Sequence, residues 1–205
     1  MMIMSSINLT LQELAPIIDW ETGGKSYYEN HYKSAPIWPE GASGVTIGCG
    51  YDLGYNSKSV IQKDWGSHIK SKDLSRLLDT AGKTGESARA AVKSVRDIIV
   101  KWDDSIQVFQ DVTVPKFIKY TLATFPGTEN LCKSAQIAVL SLVFNRGTSL
   151  KNTDRRKEMI ALVPLIAKKD YKGMAKQFRS MKRLWDKGCG LIGRREDEAK
   201  LIEKC

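Results

Sequence analysis

Two carboxylates and a hydroxyl in the first quarter of the chain have the types and spacing of acid–base chemistry. Glu21 directly follows Trp20 and precedes Thr22-Gly23-Gly24, where paired glycines must stop a helix. A carboxylate in a last helical turn faces the negative end of the helix dipole. That field, with an aromatic ring alongside, favours the protonated form, which a general acid needs near neutral pH. Asp52 closes the stretch SGVTIGCGYDLGY, residues 43–55, six positions after Thr46. Read as one strand, alternation puts Thr46, Gly48, Gly50 and Asp52 on one face and Val45, Ile47, Cys49 and Tyr51 on the other. Glycine inside a strand marks close approach of a ligand or another backbone. On that reading Thr46 and Asp52 end a bare groove floor. The same residues also read as a hairpin whose glycines supply turns and whose Asp52 caps the next one.

The other reactive side chains give weaker patterns. Glu40, six residues before Thr46 in a Pro/Gly loop, is a third candidate carboxylate. Cys49 shares its face with Val45 and Ile47 and reads as core packing, because a catalytic thiol needs an activating partner. His31 and His68 lie in no motif that would supply one. The four cysteines, Cys49, Cys132, Cys189 and Cys205, are scattered without a C-x-x-C pair, so neither zinc nor any other cofactor is expected. Their spacing predicts free thiols of a reducing compartment, with Cys189 and Cys205 close enough in sequence to bridge.

The elements that must hold these groups are mostly helical. Leu11, Leu14, Ile17 and Ile18 recur at helical spacing, and Thr10-x-x-Glu13 has the form of a capping box. Pro16 allows a second reading in which a shorter helix starts there. Residues 22–56 form the one β-like, turn-rich region. Beyond it, SKSVIQKDW, SKDLSRLLDTAG, GESARAAVKSVRDIIVKW and VPKFIKYTLATF read as helices, the last with Thr113 as N-cap. SAQIAVLSLVFN is apolar nearly all round and predicts a buried central helix. Three more helices follow it. The expectation is an α+β chain, a single domain over residues 1–205. In it a first helix and small β lobe (9–56) and a larger helical lobe (132–205) flank an active-site cleft. Residues 57–131 form a helical segment in which no motif can be placed.

Composition bounds the partners. A chain of 205 residues buries about 70% of its unfolded surface and needs neither metal nor disulfide for a core. With 42% hydrophobic and 27% charged residues it reads as an ordinary globular protein. A net charge of +9 suits polyanionic partners. No zinc spacing, aromatic RNA-binding strand or glycine-rich phosphate loop supports nucleic acid. No apolar run approaches the roughly 20 residues of a membrane span. The opening MMIMSSINLTLQELAP lacks the basic and apolar regions of a secretory signal. The chain is therefore expected to be made in the cytoplasm and to act elsewhere only after release or export.

Four fragments in order resemble the phage-type lysozymes (muramidases). WETGG followed by SGVTIGCGYDLG resembles their catalytic segment, and LSLVFNRGTSL their central helix with its FN-x-G turn. KKDYKGMAKQFRSMKRLWDKGCGLIGRREDEAKLI resembles their C-terminal helix, Trp, GL turn and RR-x-x-E helix. The likeness covers about residues 9–56 and 132–204. It implies a lysozyme-like fold and hydrolysis of the β-1,4 bond between N-acetylmuramic acid and N-acetylglucosamine. Glu21 falls on the family's general acid and Thr46 on its threonine. The usual aspartate, six residues before that threonine, is Glu40 here, and the 25-residue spacing from Glu21 to Thr46 is longer than usual. The arrangement is closer to that of the bacteriocin pesticin, whose aspartate lies six residues after the threonine. That position is Asp52, which is taken over Glu40 as the second carboxylate. Inversion, which the family implies, sets the two carboxyls about 6.5–9.5 Å apart.

Among weaker cleft candidates, Tyr51 could line the groove or its back; Asn145 and Arg146, at the family's FN-x-G position, could contact sugar or peptide or simply cap the helix before Gly147; and Trp185 could stack on a sugar face or be buried. Arg194 and Arg195 could pair with Glu196 or Glu198, or reach Glu21. The implied partners are peptidoglycan and an immunity or inhibitor protein, with the chain a monomer acting as a phage endolysin or an antibacterial effector. A lytic transglycosylase, a chitinase-like glycosidase and a non-catalytic wall-binding module are the alternatives.

Overall fold

Helix α1 (Leu11–Thr22) begins with the capping box its sequence predicts. The Thr10 backbone N–H donates to Glu13 Oε2 at 2.7 Å, and the Glu13 N–H donates to Thr10 Oγ1 at 3.3 Å. Pro16 is accommodated inside α1 instead of starting a shorter helix. A Thr10→Ala substitution should lower stability by about 1 kcal/mol, measured by urea unfolding, because the Glu13 N–H loses the hydroxyl that accepts from it.

The computed structural model describes residues 6–205, mostly helical with one two-stranded antiparallel sheet: an α+β fold. The chain forms two compact units, one of Met1–Ile17 with Pro115–Cys205 and the other of Ile18–Val114. The chain passes between them inside α1 and at the start of α7 (Val114–Thr124).

The first unit contains α7, α8 (Lys133–Arg146), α9 (Lys157–Ala167), α10 (Tyr171–Ser180) and α11 (Gly190–Ile202). Helix α8 is its centre, as the all-round apolar sequence predicts, with Ala135 to Val143 all buried. Phe125, Leu142, Leu162, Phe178 and Ile202 belong to one core. Within it Arg194 and Arg195 meet Glu198, whose Oε1 lies 2.8 Å from Arg195 Nη2. Burial pushes the Glu198 carboxyl up to about 7, against the pull of Arg195 and Arg194. Glu196 is taken by Arg179 and Lys182 on the surface. The cysteines correct the sequence reading: Cys132 and Cys205 form a disulfide, Cα to Cα 6.1 Å, and Cys49 and Cys189 are free. A sequence gap of 73 residues hid this pair, which the fold closes by returning α11 to the start of α8.

The second unit holds α2 (Lys25–Asn30), β1 (Thr46–Ile47), β2 (Tyr51–Asp52), α3 (Lys58–Trp65), α4 (Ser71–Leu78), α5 (Glu86–Ala91) and α6 (Trp102–Val108). Its core joins Val45, Ile47 and Leu53 to Ile61, Trp65, Leu77 and Val92. Much of the segment without a motif therefore packs beneath the hairpin. GESARAAVKSVRDIIVKW is not one helix: α5 ends at Ala91, a 3₁₀ turn covers Val92–Ser94, and helix resumes at Trp102. Five β-branched residues between 92 and 100 disfavour a helix. Val92, Val95, Ile98 and Val100 reach the core without one, while Ile99 is 60% exposed. Thr113 is not an N-cap; it lies in a π-helical turn, Phe109–Thr113, that runs from α6 into α7.

Candidate active site

Glu21 and its surroundings are set by how α1 ends. Thr22 Oγ1 donates to the Ile18 carbonyl at 2.7 Å and accepts from the Gly24 N–H at 3.0 Å, so one buried hydroxyl closes the last turn. Gly23 and Gly24 then turn the chain with φ of 75° and 84°, in the left-handed region. A side chain at Gly23 would collide with the Tyr27 ring, 2.6 Å from its added Cβ. Glu21 is left half-buried in the final turn, as expected from the sequence.

The glycine-rich stretch is a hairpin, not a single strand. Thr46 pairs with Asp52 and Ile47 with Tyr51, and Gly48-Cys49-Gly50 forms the loop. Thr46 and Asp52 do share a face, but as partners directly across the ladder instead of as two ends of a floor. The Thr46 N–H and C=O are both engaged by Ile37, at 2.8 and 3.0 Å. Its pairing with Asp52 is therefore of the non-hydrogen-bonded kind, in which side chains stand closest, with Cα atoms about 4.5 Å apart. Gly48 and Gly50 take φ of 54° and 71°, so the turn requires them. They also face the same hollow as Glu21: a Cβ at Gly50 would lie 3.6 Å from Glu21 Oε2.

The Asp52 carboxylate is held by backbone. Oδ1 accepts from the Gly54 N–H at 2.8 Å and Oδ2 from the Gly44 N–H at 2.9 Å, so it does cap the turn that follows. Each oxygen keeps a second lone pair for another donor, because a carboxylate offers about four acceptor positions. Gly44 allows this grip by close approach, since an added Cβ there would lie 2.2 Å from Asp52 Oδ1. Gly44→Ala should swing the Asp52 carboxylate out of place and cost about 1–3 kcal/mol of stability. Chemical denaturation would show this, and an unshifted midpoint would contradict it.

Glu21, Thr46 and Asp52 line one hollow of about 280 Å³ in the second unit, together with Tyr28, Tyr32 and Ile37. The Tyr28 hydroxyl donates to the Val100 carbonyl at 2.8 Å, and burial raises its pKa. The roles of Tyr28, Tyr32 and Ile37 were not legible in the sequence. Ile37 meets Thr46 through an isolated bridge, too short to leave an alternating pattern. Glu40 is not among the residues of this hollow; it lines an adjoining groove with Trp38 and Arg96.

The remaining candidates fall elsewhere. Tyr51 is not a groove residue: it is 7% exposed, its hydroxyl donates to Asp64 Oδ2 at 2.6 Å, and its ring meets Trp65 edge-on at 5.5 Å. Cys49 is packing, as expected; burial, then the charge of Glu21, holds its thiol well above the ordinary range. Neither histidine serves it, since His68 Nδ1 sits 3.0 Å from Asp104 Oδ1 and His31 stacks on Tyr27. Asn145 and Arg146 end α8 in the other unit, before Gly147 at φ 69°. They line a separate hollow of about 380 Å³ with Thr153, Arg155, Arg156 and Trp185. The Arg146 guanidinium lies 5.4 Å from the Trp185 ring, and burial, then Arg156 and Arg155, lowers its pKa.

Residues 17–115 match a domain family of unknown function, DUF8812, just under half of the chain and nearly coincident with the second unit. No curated protein matches the chain. Among the described residues no helix is long and apolar enough to cross a membrane.

Proposed function

We propose that this protein is a peptidoglycan muramidase of lysozyme-like fold, acting as a phage endolysin or an antibacterial effector on the cell wall. The observation that carries this reading is the convergence of Glu21, Thr46 and Asp52 on one hollow of the second unit. Glycoside hydrolysis needs an acid for the leaving oxygen and a second carboxylate for the opposite face of the sugar. Glu21 is the acid and protonates the glycosidic oxygen. Asp52, its orientation fixed by two backbone N–H groups, accepts a proton from water through a remaining lone pair. The Thr46 hydroxyl, on the same face of the hairpin, positions that water. Water adds to the anomeric carbon as the bond to the leaving sugar breaks, which inverts the configuration.

Digestion of purified sacculi and mass spectrometry of the products test the reading. New reducing muramic acid ends are expected. Ends of the 1,6-anhydro type would instead identify a lytic transglycosylase, and intact strands would remove the catalytic reading.

A further inference from the structure

The hollow that holds Glu21 is the inner end of a longer trough, built wholly within the second unit. Tyr32, Ala35, Ile37 and Pro39 line both that hollow and a groove of about 850 Å³. Trp38, Glu40 and Arg96 then line both that groove and a further one of about 860 Å³, which extends to Arg89 and Lys93. The three hollows therefore adjoin one another in series, from the carboxylates to α5 and the turn after it. Its wall is the segment 33–40, which contains three of the four non-glycine residues with left-handed backbone among the described residues: Lys33, Ser34 and Glu40, with φ of 54°, 54° and 76°. Strain of this kind persists where the surrounding structure holds it, and it clusters at ligand sites.

The chemistry changes along the trough. Near the carboxylates it offers aromatic and apolar surface, with Tyr32 and Trp38 half-buried and the indole N–H of Trp38 tied to the Ser43 carbonyl at 3.1 Å. At the far end it offers cations. Arg89 is held by Glu86 at 3.2 Å and lies over the Trp38 ring at 5.7 Å. The Arg96 and Lys93 side chains have no hydrogen bond or ion pair among the described residues, and both face the groove. Glu40 is the one carboxylate lining both grooves. Unpaired cations beside an aromatic platform suit a sugar polymer that carries acidic groups.

We infer that the trough from Tyr32 past Trp38 to Arg96 and Lys93 binds the glycan strand beyond the cleaved bond, with sugar faces on the aromatic rings and carboxylates of the peptide substituents on Arg96 and Lys93. This rests on the muramidase reading and adds a selectivity to it: strands bearing acidic peptides are held, and neutral strands of the same β-1,4 backbone are held less well. The cationic end comes from residues 86–96, in the segment where the sequence showed no motif.

Calorimetric titration of the Glu21→Gln protein with soluble peptide-bearing glycan fragments and with chitohexaose tests the inference. Arg96→Gln combined with Lys93→Gln should weaken binding of the acidic fragments about tenfold, the sum of two exposed ion contacts, and leave chitohexaose affinity unchanged. Raising salt should erase the difference between parent and variant. Trp38→Ala should weaken both ligands. Acidic-fragment affinity within twofold of the parent in the double variant would overturn the inference, as would a parent that prefers chitohexaose. Failure of the underlying reading has a different signature, because the wild-type protein would then leave sacculi uncut whatever the trough binds.

Discussion

Replacing Glu21 by Gln is expected to slow sacculus hydrolysis by about 10³-fold, within the range that general acid catalysis supplies. The amide has nearly the size of the carboxyl but carries no proton that it can give to a leaving oxygen. Thr22 and the two glycines close the helix end through their own hydroxyl and backbone. Near-ultraviolet circular dichroism should therefore match the parent protein. Turbidity loss of sacculi, measured with both proteins at equal concentration, decides the matter; a variant within tenfold of the parent would remove Glu21 from the mechanism. Asp52→Asn is a less clean probe. Its side chain replaces one of two oxygens with an NH₂ that meets a backbone N–H, either of Gly44 or of Gly54. Lost activity there must be read beside the variant's unfolding midpoint, since a buried donor facing a donor costs about 1–3 kcal/mol.

Opening the Cys132–Cys205 bridge should destabilise the protein by about 4 kcal/mol. The bond closes a loop over a sequence separation of 73 residues, and cross-linking a chain at that distance removes much of the freedom of its unfolded state. It also ties Cys205, beyond the end of α11, to the N-cap of α8, the most buried helix of its unit. Cys205→Ser, or a reductant in the denaturant series, should move the midpoint of guanidinium unfolding down and steepen the slope, because the unbridged unfolded chain exposes more surface. An unmoved midpoint in both experiments would mean that the bridge contributes nothing. Cys49 gives the contrasting control, being buried and free, and reductant has no bond to break there.

What could be read from sequence followed the length of each pattern. Helix α8 was legible because its apolar residues have no polar face to interrupt them, and α1 because Thr10 and Glu13 mark its start. Glu21 and Asp52 were legible as candidates by type and by spacing. The geometry between them was not. Strands of two residues are shorter than the alternation needed to recognise them, so the sequence left a single strand and a hairpin both open, and it left Tyr51 open between the groove and its back, where its ring joins the core with Trp65. The break after Ala91 was hidden for a related reason: Val92, Val95 and Ile98 keep a spacing near that of a helix while the backbone does not. The disulfide depended on contacts between α8 and α11, which no local pattern carries.

The division of the chain into a continuous unit and a split one has a consequence for the order in which a ribosome can complete them. Every residue of the unit 18–114 has been made before Pro115 is added, so its core and the Glu21 hollow draw only on chain already synthesised. The other unit joins chain from before Ile18 to chain from after Val114 and cannot close until both have been made. Lys133 holds the Asn8 carbonyl and Glu13, and Cys132 waits for Cys205, 73 residues on. The amino-terminal segment therefore emerges first and docks only after Lys133 has been made.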